Sequence, residues 1–331
     1  MSVETELERI STPHAVDPAS IERELSAVWR EASDGEMAVT RACAWNVVFA
    51  PDPGLDPVAS ALPRHLAARA LVLRDAPDGE APLKSWISAN CILAPHGGKL
   101  VCSEEVSLQA TVEGRRHIPG LIRALLVPGV PVGVVFAGVP ALGTLSEELL
   151  GLADRVVIHG LEDAQVEGFR VRARLQAGQG LADRAWFSQA ELRSAVASAF
   201  DENPDASIRV QEVEAHAPEG LRGEAALALG WVADRMGVRD LDRGRAQHRQ
   251  GEVRLGWVPG DTGLLLRFVC PDGIRSVHRC ADGSMVVETP QGIDRQRRHA
   301  TEPAGLLARA LLGRSADEGY ARAARWAEVL T

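Results

Sequence analysis

Glu104 lies in the stretch Val101-Cys102-Ser103-Glu104-Glu105-Val106-Ser107-Leu108. The alternation there puts it on one face with Cys102, Val106 and Leu108. An unpaired carboxylate on an apolar face is costly. One reading gives Glu104 an arginine partner, or a strand end where the side chain reaches water. The other gives it a partner protein or a ligand. Glu105, on the opposite face, reads as solvated or ion-paired. Asp154 precedes a strand and follows a helix, the position of a residue that bonds a turn. His159, followed by Gly160, ends that strand, and ligands of α/β domains bind at the carboxyl ends of the strands. Both are ligand candidates as well as candidates for local hydrogen bonding. Two basic groups stand out in an acidic chain: Arg239, Arg243, Arg245, His248 and Arg249, then Arg295, Arg297, Arg298 and His299. Such groups grip a phosphate or an acidic partner surface, or else form solvated loops. Arg243, Arg245 and Arg249 are the partner or ligand candidates among them.

The cysteines are Cys43, Cys91, Cys102, Cys270 and Cys280. Their number is odd and no C-x-x-C occurs, so they do not read as a disulfide framework. They read as reduced, buried thiols that pack like small hydrophobes. Cys91 and Cys102 are the redox candidates, because their segments are expected to be neighbouring strands.

The standard catalytic and phosphate-binding motifs do not occur. Gly98-Lys99 is followed by Leu100, not by the Ser or Thr of a phosphate loop. Gly178-Gln179-Gly180 lacks the third glycine of the dinucleotide fingerprint and follows no convincing strand. There is no G-x-S-x-G, no H-E-x-x-H and no zinc-ligand spacing. No catalytic residue, metal or cofactor is expected.

The elements that would position these residues fall into two halves. Asp17-Pro18 opens a helix that runs to Arg30, with Ile21, Leu25, Val28 and Trp29 on one face. Strands follow at 43–50 and 69–73 around a helix at 56–66. Residues 86–93 and 100–112 form a hairpin turned by Pro95-His96-Gly97-Gly98. A helix at 117–126 and one at 146–152 alternate with strands at 130–137 and 155–158. That order implies a three-layer, Rossmann-like α/β domain with a mixed sheet, residues 1–165. From 161 to 180 the chain is charged and irregular. Beyond it come a helix at 188–200, a strand at 207–213 and a helix at 221–236 closed by Gly237. Short strands at 252–258, 263–269, 274–280 and 284–288 read as an antiparallel meander, and helices at 305–312 and 317–329 end the chain. Residues 166–331 are therefore expected to be an α+β domain.

Length agrees with two domains, at 331 residues. The formal net charge of −9 argues against nucleic acid and anionic lipid as partners. The first residues carry glutamates and no apolar signal core. The most apolar stretch, 127–142, is shorter than a bilayer crossing and broken by Pro128, Pro131 and Pro140. A cytoplasmic protein with no membrane partner is expected. The tryptophans at 29, 45, 86, 186, 231, 257 and 326 are spread over both halves.

Several segments together resemble one family. They are Ile21-Glu22-Arg23-Glu24-Leu25, Arg41-Ala42-Cys43-Ala44-Trp45-Asn46-Val47-Val48, the Cys102-Ser103-Glu104-Glu105 strand and Leu126-Val127-Pro128-Gly129-Val130-Pro131. Ala153-Asp154-Arg155 and Leu227-Ala228-Leu229-Gly230-Trp231-Val232-Ala233-Asp234-Arg235-Met236-Gly237 complete the series. In this order they resemble the glucose-6-phosphate dehydrogenase assembly proteins of the OpcA family. The resemblance implies a non-catalytic protein of the pentose phosphate pathway. It implies a partner, glucose-6-phosphate dehydrogenase, whose active oligomer the chain promotes as an allosteric activator. The competing expectation is an α/β enzyme or sensor that takes a sugar phosphate or nicotinamide nucleotide at the sheet edge.

Overall fold

The structure is a computed structural model that describes residues 7–10, 14–15, 18–33, 38–77, 79–93, 99–140, 143–159, 180–242, 244–248, 251–261, 263–280, 282–296, 301–313 and 318–330. Two compact units divide the chain, Met1–His159 with Pro303–Leu312, and Gly160–Glu302 with Gly313–Thr331. The sequence places all of 166–331 in the second domain. Helix Pro303–Leu312 instead belongs to the first, where it packs on strand Arg155–Ile158 and helix Asp56–Ala61.

In chain order the first unit holds β1 (Leu7–Ile10), β2 (His14–Ala15), α1 (Pro18–Ser33), β3 (Ala38–Arg41), β4 (Trp45–Phe49) and α2 (Asp56–Ala61). Next come β5 (Ala68–Asp75), β6 (Leu83–Leu93), β7 (Lys99–Ala110), α3 (Ile118–Leu125), β8 (Val132–Phe136), α4 (Thr144–Leu152) and β9 (Arg155–Ile158). Its sheet runs β1-β6-β7-β5-β4-β8-β9. The strands from β7 to β9 are parallel, and β6 and β1 extend the sheet antiparallel. Short β3 also pairs parallel with the start of β7. Numbered among themselves, the five parallel strands of the main path, β4, β5, β7, β8 and β9, stand in the order 3-2-1-4-5, that of a Rossmann half-sheet. Strand β6 replaces the helix that would join the second and third of them. The centre is apolar on both faces, as a covered parallel sheet requires: Val47, Val48, Phe49, Val134 and Val135 are fully buried. In α3, Ile118, Leu121, Ile122 and Leu125 recur at helical spacing and are buried.

Two buried polar devices tie this sheet to its helices. Arg69 on β5 donates from Nε to Glu104 Oε2 on β7 at 2.7 Å. It also donates from Nη1 to Glu22 Oε1 on α1 and to the Leu125 carbonyl of α3, both at 2.7 Å. Arg69 and Glu104 are 3% and 5% exposed, so this is a buried pair. Burial works against the guanidinium charge, but Glu104 and Glu22 outweigh it and hold the Arg69 pKa above its ordinary value. Of the two readings of Glu104, the arginine partner is the one observed. Asn46 on β4 is the second device. Its amide donates to the carbonyls of Val127 and Val130 at 3.1 and 3.0 Å and accepts from Val127 N at 2.9 Å. That fixes the Val-Pro-Gly-Val loop ahead of β8.

The second unit begins with β10 (Gly180–Asp183), α5 (Arg184–Ser188), α6 (Ala190–Ser198) and α7 (Pro204–Ser207). It continues with β11 (Glu212–Ala217), α8 (Arg222–Met236), β12 (Asp240–Asp242), β13 (Arg245–His248) and β14 (Gly251–Pro259). Then follow β15 (Leu264–Cys270), β16 (Gly273–Arg279), β17 (Met285–Thr289) and β18 (Gly292–Gln296); after the helix that returns to the first unit, here α9, comes α10 (Glu318–Leu330). The sheet order is β12-β13-β14-β11-β15-β16-β17-β18. This corrects two expectations. The strand expected at 207–213 lies at Glu212–Ala217, because Pro204 opens a short helix that consumes Ser207. The meander is also interrupted: β11 enters between β14 and β15, parallel to the first and antiparallel to the second. Its inward side chains are Val213, Ala215 and Ala217, all fully buried beneath α8.

Helix α8 is buried from Ala225 to Ala233, and α10 packs closely against it. Gly230 makes that approach feasible, since a Cβ there would come within 2.1 Å of the Ala323 carbonyl oxygen. Gly237, at φ +67°, ends α8 in the left-handed conformation. Asp183 caps α5 through Ala185 N at 2.9 Å and accepts the Tyr320 hydroxyl at 2.9 Å.

Arg69→Ala strands Glu104 without its charge partner, and urea unfolding should show a loss of about 3–5 kcal/mol. The double variant Arg69→Met/Glu104→Leu should recover most of it. A loss below about 1 kcal/mol in the single variant, the scale of an exposed pair, would contradict the role given to this pair.

Candidate functional site

A Rossmann half-sheet binds its ligand where the strand order reverses, at the carboxyl ends of its first and fourth strands. Here these are β4 and β8. The loop after β4 is Ala50-Pro51-Asp52-Pro53-Gly54-Leu55, where a dinucleotide site needs glycines. Backbone N–H groups at the start of the following helix would face a phosphate. Pro53 and Pro57 lack that group. Asp52 Oδ1 accepts from Gly54 N at 2.8 Å, so a side-chain carboxylate holds the donor. Asp56 adds a second acid in the first turn of α2. The helix start is thus supplied with negative charge by the chain itself.

Beside it, at the carboxyl end of β5, stand Arg74 and Asp75. A dinucleotide fold recognises the ribose or its 2′-phosphate near this position. Arg74 Nη2 lies 3.0 Å from Asp56 Oδ1 and 3.7 Å from Glu105 Oε1, and Nη1 donates to the Ser107 hydroxyl. Its Cζ stands 5.0 Å from the Trp86 ring centroid. Asp75 is paired with Arg115 at 2.8 Å. Glu105 is buried and accepts from Ser107 Oγ at 3.0 Å. Burial raises its pKa above the ordinary carboxylate value, against the opposing pull of Ser107 and Arg74. These groups pair with one another, while Arg115 Nε is buried with no hydrogen-bond partner among the described residues.

The candidates read from the sequence do not converge. Glu104 and Glu105 point to opposite faces of β7, one into the Arg69 pair and the other into the Arg74 cluster. Asp154 stands at the amino end of β9, where Oδ2 accepts from Val132 N at 2.8 Å. His159 stands at the other end of that strand, buried, with its backbone N–H donating to the Phe136 carbonyl at 2.8 Å. Arg245 belongs to the second unit, exposed on β13, with Nε 3.9 Å from Glu252 Oε1. Arg243 and Arg249 lie outside the described residues, as do Arg297, Arg298, His299 and the turn at 95–98. Asp52, Asp56 and Arg74 were missed as site residues. The acid-and-proline run after a buried strand was the signal that would have found them.

Cys91 and Cys102 face each other in the β6–β7 register with Cα atoms 4.0 Å apart, and they form a disulfide. A directly opposed antiparallel pair brings side chains this close. This corrects the reading of all five cysteines as reduced; Cys43, Cys270 and Cys280 are free. Among the described residues no His, Cys, Asp and Glu group is arranged to hold a metal ion, and no helix is long and apolar enough to cross a membrane.

Residues 59–174 match the family model described as the glucose-6-phosphate dehydrogenase subunit N-terminal domain, of the OpcA assembly type. Residues 179–324 match the corresponding C-terminal domain. A Nostoc punctiforme protein, provisionally named an OxPP cycle protein OpcA, is 26% identical over 249 residues, which cover 68% of this chain and 53% of that protein. A Synechocystis protein of the same provisional name is 24% identical over 194 residues, 57% of this chain and 41% of that one. The chain thus spans about half the length of the curated relatives it matches. Among solved structures, a 3-ketoreductase from Actinomadura kijaniata is 16% identical with a TM-score of 0.48, covering 87% of this chain and 96% of its own. An oxidoreductase from Thermotoga maritima is 9% identical with a TM-score of 0.46, at 87% and 96% coverage.

Two outcomes follow from this geometry. Because the Glu105 pKa is raised, the folded state binds its proton more tightly than the unfolded chain does. That contribution to stability is present at low pH and is lost as pH rises through the folded pKa. Relative to Glu105→Gln, the wild-type chain should therefore gain stability in urea melts as pH falls from 7 toward the ordinary carboxylate range; a parallel pH dependence would refute this. Denatured without reductant, the chain should titrate with dithiobis-nitrobenzoate as three thiols, from Cys43, Cys270 and Cys280. Five thiols would contradict the cross-strand bond.

Proposed function

From the premise that this chain belongs to the OpcA family of glucose-6-phosphate dehydrogenase assembly proteins, we propose that it binds that dehydrogenase and promotes its active oligomer. It acts as an allosteric activator in the oxidative pentose phosphate pathway, working in the cytoplasm and making or breaking no covalent bond itself. The observation that carries this reading is the crevice between β4 and β8. The fold of a dinucleotide enzyme is kept, while the place of the phosphates is taken by Asp52, Pro53 and Asp56. This supports a scaffold whose output is a protein contact.

An activator must bind the active oligomer more tightly than the inactive form. A tenfold preference supplies about 1.4 kcal/mol per bound copy, enough to invert a finely balanced equilibrium. Of the candidate contact residues, Arg245 is exposed on β13 and is proposed to meet an acidic surface of the partner. Glu104, buried against Arg69, acts by holding α1, β5 and β7 together. The Cys91–Cys102 bond is proposed as the redox-sensitive link of the β6–β7 hairpin.

Size-exclusion chromatography of the chain mixed with its own organism's dehydrogenase, with activity read across the peak, tests the proposal. The expected result is co-elution in a larger species with a higher rate or a lower substrate requirement. Unchanged elution and kinetics, or substrate consumed by the chain alone, would sink it.

A further inference from the structure

The second unit contains a cavity of about 980 Å³, at the upper end of the range of small-molecule sites. Val196 and Phe200 of the α6 region, Val210, Trp231 of α8 and Phe268 of β15 give it an apolar lining. All but Phe200 are nine-tenths or more buried, so the floor is part of the core. The Phe200 wall is braced. Its ring meets Phe268 edge-on at 5.4 Å, and the Arg275 guanidinium lies 5.2 Å from its centroid. Arg275 is itself 1% exposed and anchored on Asp272 at 2.9 and 2.8 Å and on the Ala199 carbonyl at 3.1 Å. A wall held this way stands ready before a ligand arrives.

The rim has a different chemistry. Arg235, Arg239 and His248 line the same cavity. Arg235 lies in the last turn of α8 and Arg239 just past its Gly237 cap. Among the described residues, neither guanidinium has a hydrogen-bond or ion-pair partner from its side chain. In a chain of net charge −9, these two guanidinium groups stand over the apolar floor. Ile208, 46% exposed, adds an apolar lip.

We propose that this cavity is a binding site for an amphipathic organic anion, an apolar aromatic or aliphatic body ended by a carboxylate, sulfonate or phosphate. The body fills the floor between Phe200 and Trp231, and the anionic end meets Arg235 and Arg239 at the rim. The pairing of a buried apolar floor with two exposed guanidinium groups at one rim fits a small molecule with one apolar body and one anionic end. The site is distinct from the β4–β8 crevice and does not rest on the assembly function.

The test uses the full chain and two fluorescent probes of nearly the same body, anionic 1-anilinonaphthalene-8-sulfonate and neutral N-phenyl-1-naphthylamine. The sulfonate should bind saturably at one equivalent and accept energy transfer from tryptophan. Arg235→Gln/Arg239→Gln should weaken the sulfonate by about tenfold or more, the scale of a charge-assisted contact, and leave the neutral probe nearly unaffected. Ala197→Trp, at an exposed lining position on α6, should abolish both while leaving the circular dichroism spectrum unchanged. Absence of saturable binding, or sulfonate affinity unchanged in the double arginine variant, would overturn the proposal. So would displacement of the bound probe by a stoichiometric amount of the dehydrogenase, which would make this face a protein contact.

Discussion

In the crevice between β4 and β8, the negative charge that a bound phosphate would bring is already present in the chain. Asp52 holds Gly54 N, two prolines remove further donors, and Asp56 engages Arg74. A helix start of this kind offers an incoming phosphate few free backbone donors. The same groups keep the region ordered without a ligand, because Arg74 also reaches Glu105 and Ser107 on β7.

The first unit uses each face of its sheet differently. On one face Arg69 joins β5, β7, α1 and α3 through Glu104, Glu22 and the Leu125 carbonyl. On the other, Arg74 joins β5, β7 and α2. Arg69 and Arg74 are five residues apart on one strand, so their side chains point to opposite faces. Neither cluster is weighted toward net stability: the buried Arg69–Glu104 pair roughly cancels its own desolvation, and the part-exposed Arg74–Asp56 pair contributes little. What each does is fix which helix covers which face. The second unit is ordered by size instead: Gly230 lets α10 approach α8, and Ala215 and Ala217 let α8 lie close on β11.

Much of this was legible in the residues. The apolar runs of β4, β8 and β9, the helical spacing of α3 and the glycine that ends α8 place themselves. An arginine partner was one of several open readings of Glu104, and no residue could be named for it, because pairing of β5 with β7 in register is a long-range fact. The insertion of β11 between β14 and β15 was illegible for the same reason. Local alternation gives a strand its faces, not its neighbours. Local pattern alone puts Asp154 before β9 and His159 at its end, and the structure keeps them at the two ends of that strand. The resemblance to the assembly proteins was sound because it rested on many segments in order, spread over both units.

Isothermal titration calorimetry of the purified chain, alone, with NADP and with glucose-6-phosphate is the most direct measurement of the central claim that the crevice is satisfied by its own side chains. The account predicts no saturable heat from either compound at millimolar concentration. Stoichiometric binding of either one at micromolar concentration, weakened by a substitution at Asp52 or Arg74, would contradict it.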